Sequence, residues 1–225
     1  PGETDLTMVK KAPRRTAQRI IETSLSLFNR FGEPNVSTNL ISSELRISPG
    51  NLYYHFPAKD ELVNALFDQY LAQLNPLLEA AGDVRDVEDA WFFIHSLFER
   101  LWEHRFLYRD LNDLLSRNRR LETEVKDLLA RKQLAFVQLI TGLHHHGALQ
   151  LDGAEREATA THMVVLLTWW LSYEYVRNPR HALEEDSAAQ ALIGGAQHVL
   201  RLLSPHLVAG SREHLQSLLA HYLTA

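Results

Sequence analysis

An all-α fold is what the sequence predicts, on three observations. Apolar residues recur at helical, 3.6-residue spacing along almost the whole chain. The segments that carry this pattern stop at Gly, Pro, Asn-Pro or Asp-Gly breaks such as Gly82-Asp83, Asp152-Gly153 and Asn178-Pro179. No apolar–polar alternation of convincing strand length appears, and no internal repeat is visible.

Each element follows from local chemistry. Ala17, Ile20, Ile21, Ser24, Leu27, Phe28 and Phe31 share one helical face and Gly32 follows, which predicts a first helix over Arg15–Phe31 with a glycine stop. Ser37 and Thr38 are N-cap types, and Leu40, Ile41 and Leu45 then recur at helical spacing, predicting a second helix of about two turns. Ser48 caps the third, and Pro49 suits its first position because a proline has no N–H to leave unpaired there. Pro57 disfavours a helical Phe56, so this helix covers Pro49–His55. A fourth runs from Lys59 through Leu62, Leu66 and Tyr70 toward Leu78, with Pro76 as a kink or break. Further helices are predicted at Val87–His104, Phe106–Ser116, Leu121–His145, Ala154–Arg177, Ser187–Leu203 and Arg212–Leu223.

Composition narrows the class. With 225 residues and 45% hydrophobic content the chain can bury a sizeable core in one or two domains. It contains no cysteine, which excludes disulfides, Cys-ligated zinc, iron–sulfur clusters and a thiol nucleophile, and suits a reducing compartment. The N-terminal stretch lacks an apolar signal core and no run reaches the length of a membrane span, so a cytoplasmic protein without membrane contact is expected. The formal charge is −5, yet residues 10–59 hold eight basic against three acidic residues, so a basic head precedes an acidic body. Such asymmetry suits a module that meets phosphates, and a chance fluctuation of surface charge would look the same.

The third helix is unusual for a buried element. Leu52 and Phe56, four apart, can pack inward, while Asn51, Tyr53, Tyr54 and His55 carry amide, hydroxyl and imidazole groups over the other faces. These suit phosphates and base edges. Gly50 permits close backbone approach to a phosphate, the helix N-terminus adds a positive dipole end, and Lys59 supplies a mobile cation. Two short helices around a tight turn, with the second so equipped, outline a DNA-reading helix-turn-helix.

In this order and spacing, RIIETSLSLFNRFG in the first helix, Val36-Ser37-Thr38, Ile47 to Phe56 (ISPGNLYYHF) and Lys59-Asp60-Glu61-Leu62 resemble the TetR family of transcriptional regulators over about Arg15–Tyr70. The rest of the chain resembles that family in being helical and rich in apolar residues. The resemblance implies a flexible tail (1–14), a three-helix helix-turn-helix DNA-binding domain (15–60) and a larger helical ligand-binding and dimerisation domain (61–225). It implies that Thr38, Tyr53, His55 and Lys59 meet the phosphate backbone of double-stranded DNA, with Ser48, Pro49, Gly50, Asn51 and Tyr54 nearest the base edges. Arg14, Arg15 and Arg19 are either further DNA contacts or a solvated basic tail. One departure stands out: the family usually has glycine where this chain has Arg46, so either the turn differs or Arg46 adopts a left-handed backbone at a cost.

By the same resemblance, the function is that of a homodimeric regulator, a repressor released from a palindromic operator by a small, largely apolar effector. The family's last long helices dimerise, which points here to Ala154–Arg177 and Ser187–Leu203, where Gly194-Gly195 permits close helix approach. His95, Trp102, Tyr108, Phe136, His144, Met163 and Tyr173 are the candidate effector-pocket residues, although aromatic stripes of this kind also serve as ordinary core. No catalytic residues and no cofactor are expected, since the chain carries no phosphate-cradling Gly-rich loop, G-x-S-x-G or H-E-x-x-H motif. Consecutive helical residues point about 100° apart, so His144-His145-His146 reads as a helix C-terminus and not a metal site. The alternative function is a helical adaptor that does not bind DNA.

Overall fold

The computed structural model describes residues 11–223, and among them the chain is helical nearly throughout. It divides into two compact units at Gln69/Tyr70. That division falls inside a continuous helix, α4 (Lys59–Glu79), about two turns beyond the 60/61 boundary expected from the sequence.

The N-terminal unit contains α1 (Lys11–Phe31), α2 (Thr38–Leu45), α3 (Pro49–His55) and the beginning of α4. α1 begins at Lys11, so residues 11–14 of the expected tail are helical and Arg14, Arg15 and Arg19 stand exposed on α1. Residues 1–10 of that expected tail lie outside the described residues. Ser37 caps α2 by accepting from the Leu40 N–H, and Ser48 caps α3 by accepting from the Asn51 N–H, each at 3.1 Å. α1 packs on α2 and α2 on α3. Ile20, Phe28, Val36, Ile41 and Leu52 form the buried seam; complete burial of a side chain such as Leu52 contributes about 2 kcal/mol.

Arg46 closes α2 in the left-handed region, with φ 56° and ψ 42°. The turn therefore keeps the geometry that glycine usually serves, and the arginine carries the backbone cost.

The second unit holds the rest of α4, α5 (Val87–Glu103), α6 (Arg105–Arg109), α7 (Leu111–Arg117), α8 (Arg119–His145), α9 (Gly153–Arg177), α10 (Ala188–Arg201) and α11 (Ala209–Leu223). α10 packs against α5 and α9, α8 against α9 and α7, α6 against α9, and α11 against α5. α4 continues through Pro76 to Glu79 without a break; so near the C-terminal end, the missing N–H disturbs only the last turn. The single helix expected over Phe106–Ser116 is two, α6 and α7, interrupted at Asp110. Ser172 on α9 donates to the Tyr108 carbonyl at 2.5 Å, and Arg109 donates to Tyr175 at 2.9 Å, so tertiary bonds take over where the helical ladder stops.

Two glycines set how closely helices approach. A Cβ on Gly142 would lie 2.3 Å from the Val84 carbonyl oxygen. One on Gly195 would lie 2.5 Å from Phe98 and 2.7 Å from Trp170. Gly194-Gly195, expected to serve a subunit interface, thus faces α5 and α9 of its own chain. An isolated antiparallel bridge, Leu149 to Leu207, ties the α8–α9 connection to the segment before α11. None of the described helices is long and apolar enough to cross a membrane.

Replacing Arg46 by glycine should raise the unfolding free energy by about 0.5–1 kcal/mol, the left-handed penalty less the extra entropy of an unfolded glycine. Urea titration would show this as a higher midpoint at unchanged slope; a lower midpoint would mean that the Arg46 side chain stabilises more than its backbone costs.

Candidate nucleic-acid interface and buried polar cluster

α3 buries one residue, Leu52, and turns the remainder outward. Asn51 is exposed, Tyr53 is 45% and Tyr54 79% exposed, and His55 and Phe56 are half-buried. The Tyr53 and Thr38 hydroxyls share a hydrogen bond of 3.0 Å, so a side chain from α2 holds one from α3 with hydroxyl valence to spare. Tyr54 meets His55 edge-on, with ring centroids 5.1 Å apart. Gly50 is the least expected residue here. An added Cβ would meet nothing nearer than the Ser48 Oγ at 4.0 Å, so the chain's own packing does not require glycine, although glycine weakens a helix by about 1 kcal/mol relative to alanine.

Lys59 is not a mobile cation. Its ammonium donates to the Glu33 carbonyl at 3.1 Å and the Val36 carbonyl at 3.2 Å, and lies 2.9 Å from the fully buried Glu33 carboxylate. Two hydrogen bonds and an ion pair thus tie the ammonium to the corner between α1 and α2. Among the residues of the unit whose side chains are described, Arg14, Arg15, Arg19, Arg30 and Arg46 are exposed cations.

The residues expected to line an effector pocket are dispersed in the second unit. Tyr173 is 54% exposed in an open groove of about 340 Å³ that also involves Val165, Leu166, Trp169, Trp170, Arg177 and His198. Val165, Trp169, Tyr173 and Val176 form an exposed apolar stripe along α9. His95 is half-buried, stacked on Trp91, and 3.7 Å from Glu99. Trp102 lies under the Arg105 guanidinium, Phe136 meets Phe93 edge-on, and Met163 is fully buried. His144 is half-buried near the end of α8, where His146 contacts the Gly142 carbonyl at 2.8 Å as the helix cap.

Tyr108 belongs to a polar cluster that the sequence reading missed. Its hydroxyl lies 2.5 Å from that of Tyr70 and accepts from the Lys132 ammonium at 3.0 Å. Lys132 is 1% exposed and also reaches the Thr168 hydroxyl at 3.4 Å. His104, 2% exposed, packs its ring 5.2 Å from Tyr70, and neither ring nitrogen finds a well-formed hydrogen bond. Burial pushes the Tyr70 phenol well above its ordinary value, and the adjoining Tyr108 hydroxyl adds to the effect. Burial likewise brings His104 down to about 4, against a smaller upward pull from the Arg100 backbone. The available signal was periodicity: Lys132 sits on the α8 face that also holds Leu121, Val125, Leu128, Phe136, Leu139 and Leu143.

A helix-turn-helix whose second helix faces solvent, joined to an all-helical unit, defines a class of DNA-binding transcription regulators. Residues 20–66 match the model of bacterial regulatory proteins of the tetR family, and residues 69–215 match a TetR model described as a bacterial transcriptional repressor. A crystal structure of a TetR-family regulator from Marinobacter aquaeolei VT8 is 31% identical, covering 92% of this chain and 98% of that one with a TM-score of 0.82. A regulator from Saccharomonospora viridis, solved with choline, shares the fold at 19% identity, over 87% of this chain and 98% of that one, with a TM-score of 0.66. The Escherichia coli transposon Tn10 TetC protein is 25% identical over 91 residues, 40% of this chain, which spans about 45% of that relative's length. The chain belongs to the TetR family of DNA-binding transcriptional regulators.

The depressed His104 pKa makes stability pH-dependent. Between about 4 and 6.5 the unfolded chain holds more protons at this site than the folded one, so its contribution is present above 6.5 and lost as pH falls toward 4. The loss is on the order of 3 kcal/mol. Denaturation of wild type and His104→Gln at pH 7 and pH 4.5 should show a smaller decline for the variant; equal declines would remove His104 as the cause.

Proposed function

We propose that this protein is a homodimeric repressor that binds a palindromic operator through α3 and leaves it when a small molecule binds the second unit. The observation that carries the DNA-reading half is Gly50: an exposed helical glycine that internal packing does not need, beside exposed Asn51 and Tyr54. A partner that must approach this turn of backbone gives the glycine a use. In this reading Ser48, Pro49, Gly50, Asn51 and Tyr54 lie against base edges, and the Asn51 amide makes paired bonds to an adenine. Thr38, Tyr53 and His55 meet phosphates, with the Thr38–Tyr53 bond presetting the pair. Lys59, assigned to phosphate by resemblance, acts in this reading as a positioning residue through its two hydrogen bonds and one ion pair within the unit.

A palindrome demands two recognition heads related by a two-fold axis. The α9 stripe of Val165, Trp169, Tyr173 and Val176 supplies an apolar face suited to a second copy of the chain, since left in water it would be an aggregation hazard. Effector binding then shifts the equilibrium between head spacings that fit the operator and spacings that do not. α4, one helix running from the first unit into the second, is the covalent route for that shift. The choline found with the Saccharomonospora viridis regulator supports a small-molecule effector in this fold without identifying the one used here. Membership of the family weighs against the adaptor alternative.

Selection of bound fragments from random duplexes should return a palindrome. On that sequence Gly50→Ala should weaken binding about tenfold or more while stabilising the protein by up to about 1 kcal/mol, a split that a folding defect cannot produce. Asn51→Ala should relax preference at one base position per half-site, costing about 1–3 kcal/mol there. Wild-type affinity for both would sink the assignment of α3 as the reading head.

A further inference from the structure

We infer that the cluster around Lys132 is a subsite for the carboxylate of an acidic effector whose remaining body is apolar. The inference rests on the proposed effector role of the second unit and supplies the chemistry of what binds there.

Lys132 is 1% exposed, and neither of its hydrogen-bond partners, the Tyr108 and Thr168 hydroxyls, carries a carboxylate. No ion pair joins it to any carboxylate among the described residues, and its second contact, at 3.4 Å, is long. The other buried cation of this unit differs: Arg105 reaches the Leu183 and Trp102 carbonyls and pairs with Glu185 at 2.7 Å. An ammonium deep in a core without an anion is costly, and no carboxylate among the described residues pairs with it.

The neighbours add donors and no negative charge. Burial keeps Tyr70 a phenol, so it cannot serve as the counter-ion, and His104 stays neutral with both ring nitrogens poorly satisfied. A carboxylate, accepting only, is the group that Lys132 and adjoining hydroxyls can satisfy together. Leu128 and Phe136, one turn to either side of Lys132 on α8, are both buried and give the surroundings their apolar character. Four helices contribute: Tyr70 from α4, Tyr108 from α6, Lys132 from α8 and Thr168 from α9. An acid held here touches α4 itself, the helix proposed to carry the response.

The test compares acids with alcohols of matched carbon skeleton, octanoate with octanol and 4-phenylbutyrate with 4-phenylbutanol, so that aliphatic and aryl bodies are separated. Binding is measured without DNA by calorimetry and thermal shift. At least one acid should bind the wild type about tenfold or more tightly than its alcohol. Lys132→Met should lose that preference while its melting temperature without ligand stays equal or rises, because a desolvated charge has been removed. Lys132→Gln provides the same comparison should the methionine variant fold poorly. No acid binding to wild type, equal binding of acid and alcohol, or an acid preference retained in the variants would each overturn the inference. Because operator binding is not read, failure here leaves the DNA assignment standing, and acid binding by a protein that selects no palindrome would fail only that assignment.

Discussion

The ammonium of Lys59 is the point on which the geometry of the N-terminal unit depends. It stands at the start of α4 and holds the Glu33 and Val36 carbonyls together with the buried Glu33 carboxylate. A buried carboxylate must be paired, and the ammonium also bonds the Val36 carbonyl and adds a second donor to the Glu33 carbonyl, which accepts from the Val36 N–H at 3.1 Å in a one-turn 3-10 helix (Glu33–Asn35). One cation therefore settles the corner leading from α1 into α2, and α2 carries the Thr38 hydroxyl that holds Tyr53 on α3. The exposed side chains of α3 depend on that chain of contacts for their placement.

The second unit shows two opposite departures from ordinary globular burial. A polar cluster with a lysine lies in the core, and an aromatic and aliphatic stripe on α9 faces water. Each is expensive in a lone, unliganded chain. In the proposed cycle of dimer, operator and effector, a small molecule would meet the first and a second subunit the second. Trp170 marks how the two regions differ: its indole N–H is satisfied inside the chain by the Ala191 carbonyl at 2.8 Å, whereas its neighbour Trp169 remains 38% exposed.

Local chemistry made most of the fold legible. Ser48-Pro49 and Pro57 bracket α3 over Pro49–His55, because capping and proline geometry act within a few residues and need no tertiary knowledge. What stayed hidden depends on distant partners. The break between α6 and α7 coincides with bonds to Ser172 and Tyr175, more than sixty residues away. Gly194-Gly195 signals close approach, but only the packed structure shows that Phe98 and Trp170 of the same chain are what approaches Gly195. The outward residues of α3 were readable, being what the inward Leu52 leaves over. The docking of the Lys59 ammonium on Glu33 and Val36 was not readable, since charge alone does not reveal where a flexible side chain settles. Lys132 was passed over although it interrupts the apolar face of α8, the kind of local inconsistency that marks functional positions.

The central claim, that α3 reads DNA as one of a two-fold pair, is tested most directly by a chemical footprint on a selected duplex. Two protected major-groove patches, symmetric about a dyad and centred about one helical turn or more apart, are the predicted result. A single protected patch, protection confined to phosphates without base protection, or protection independent of sequence would contradict it.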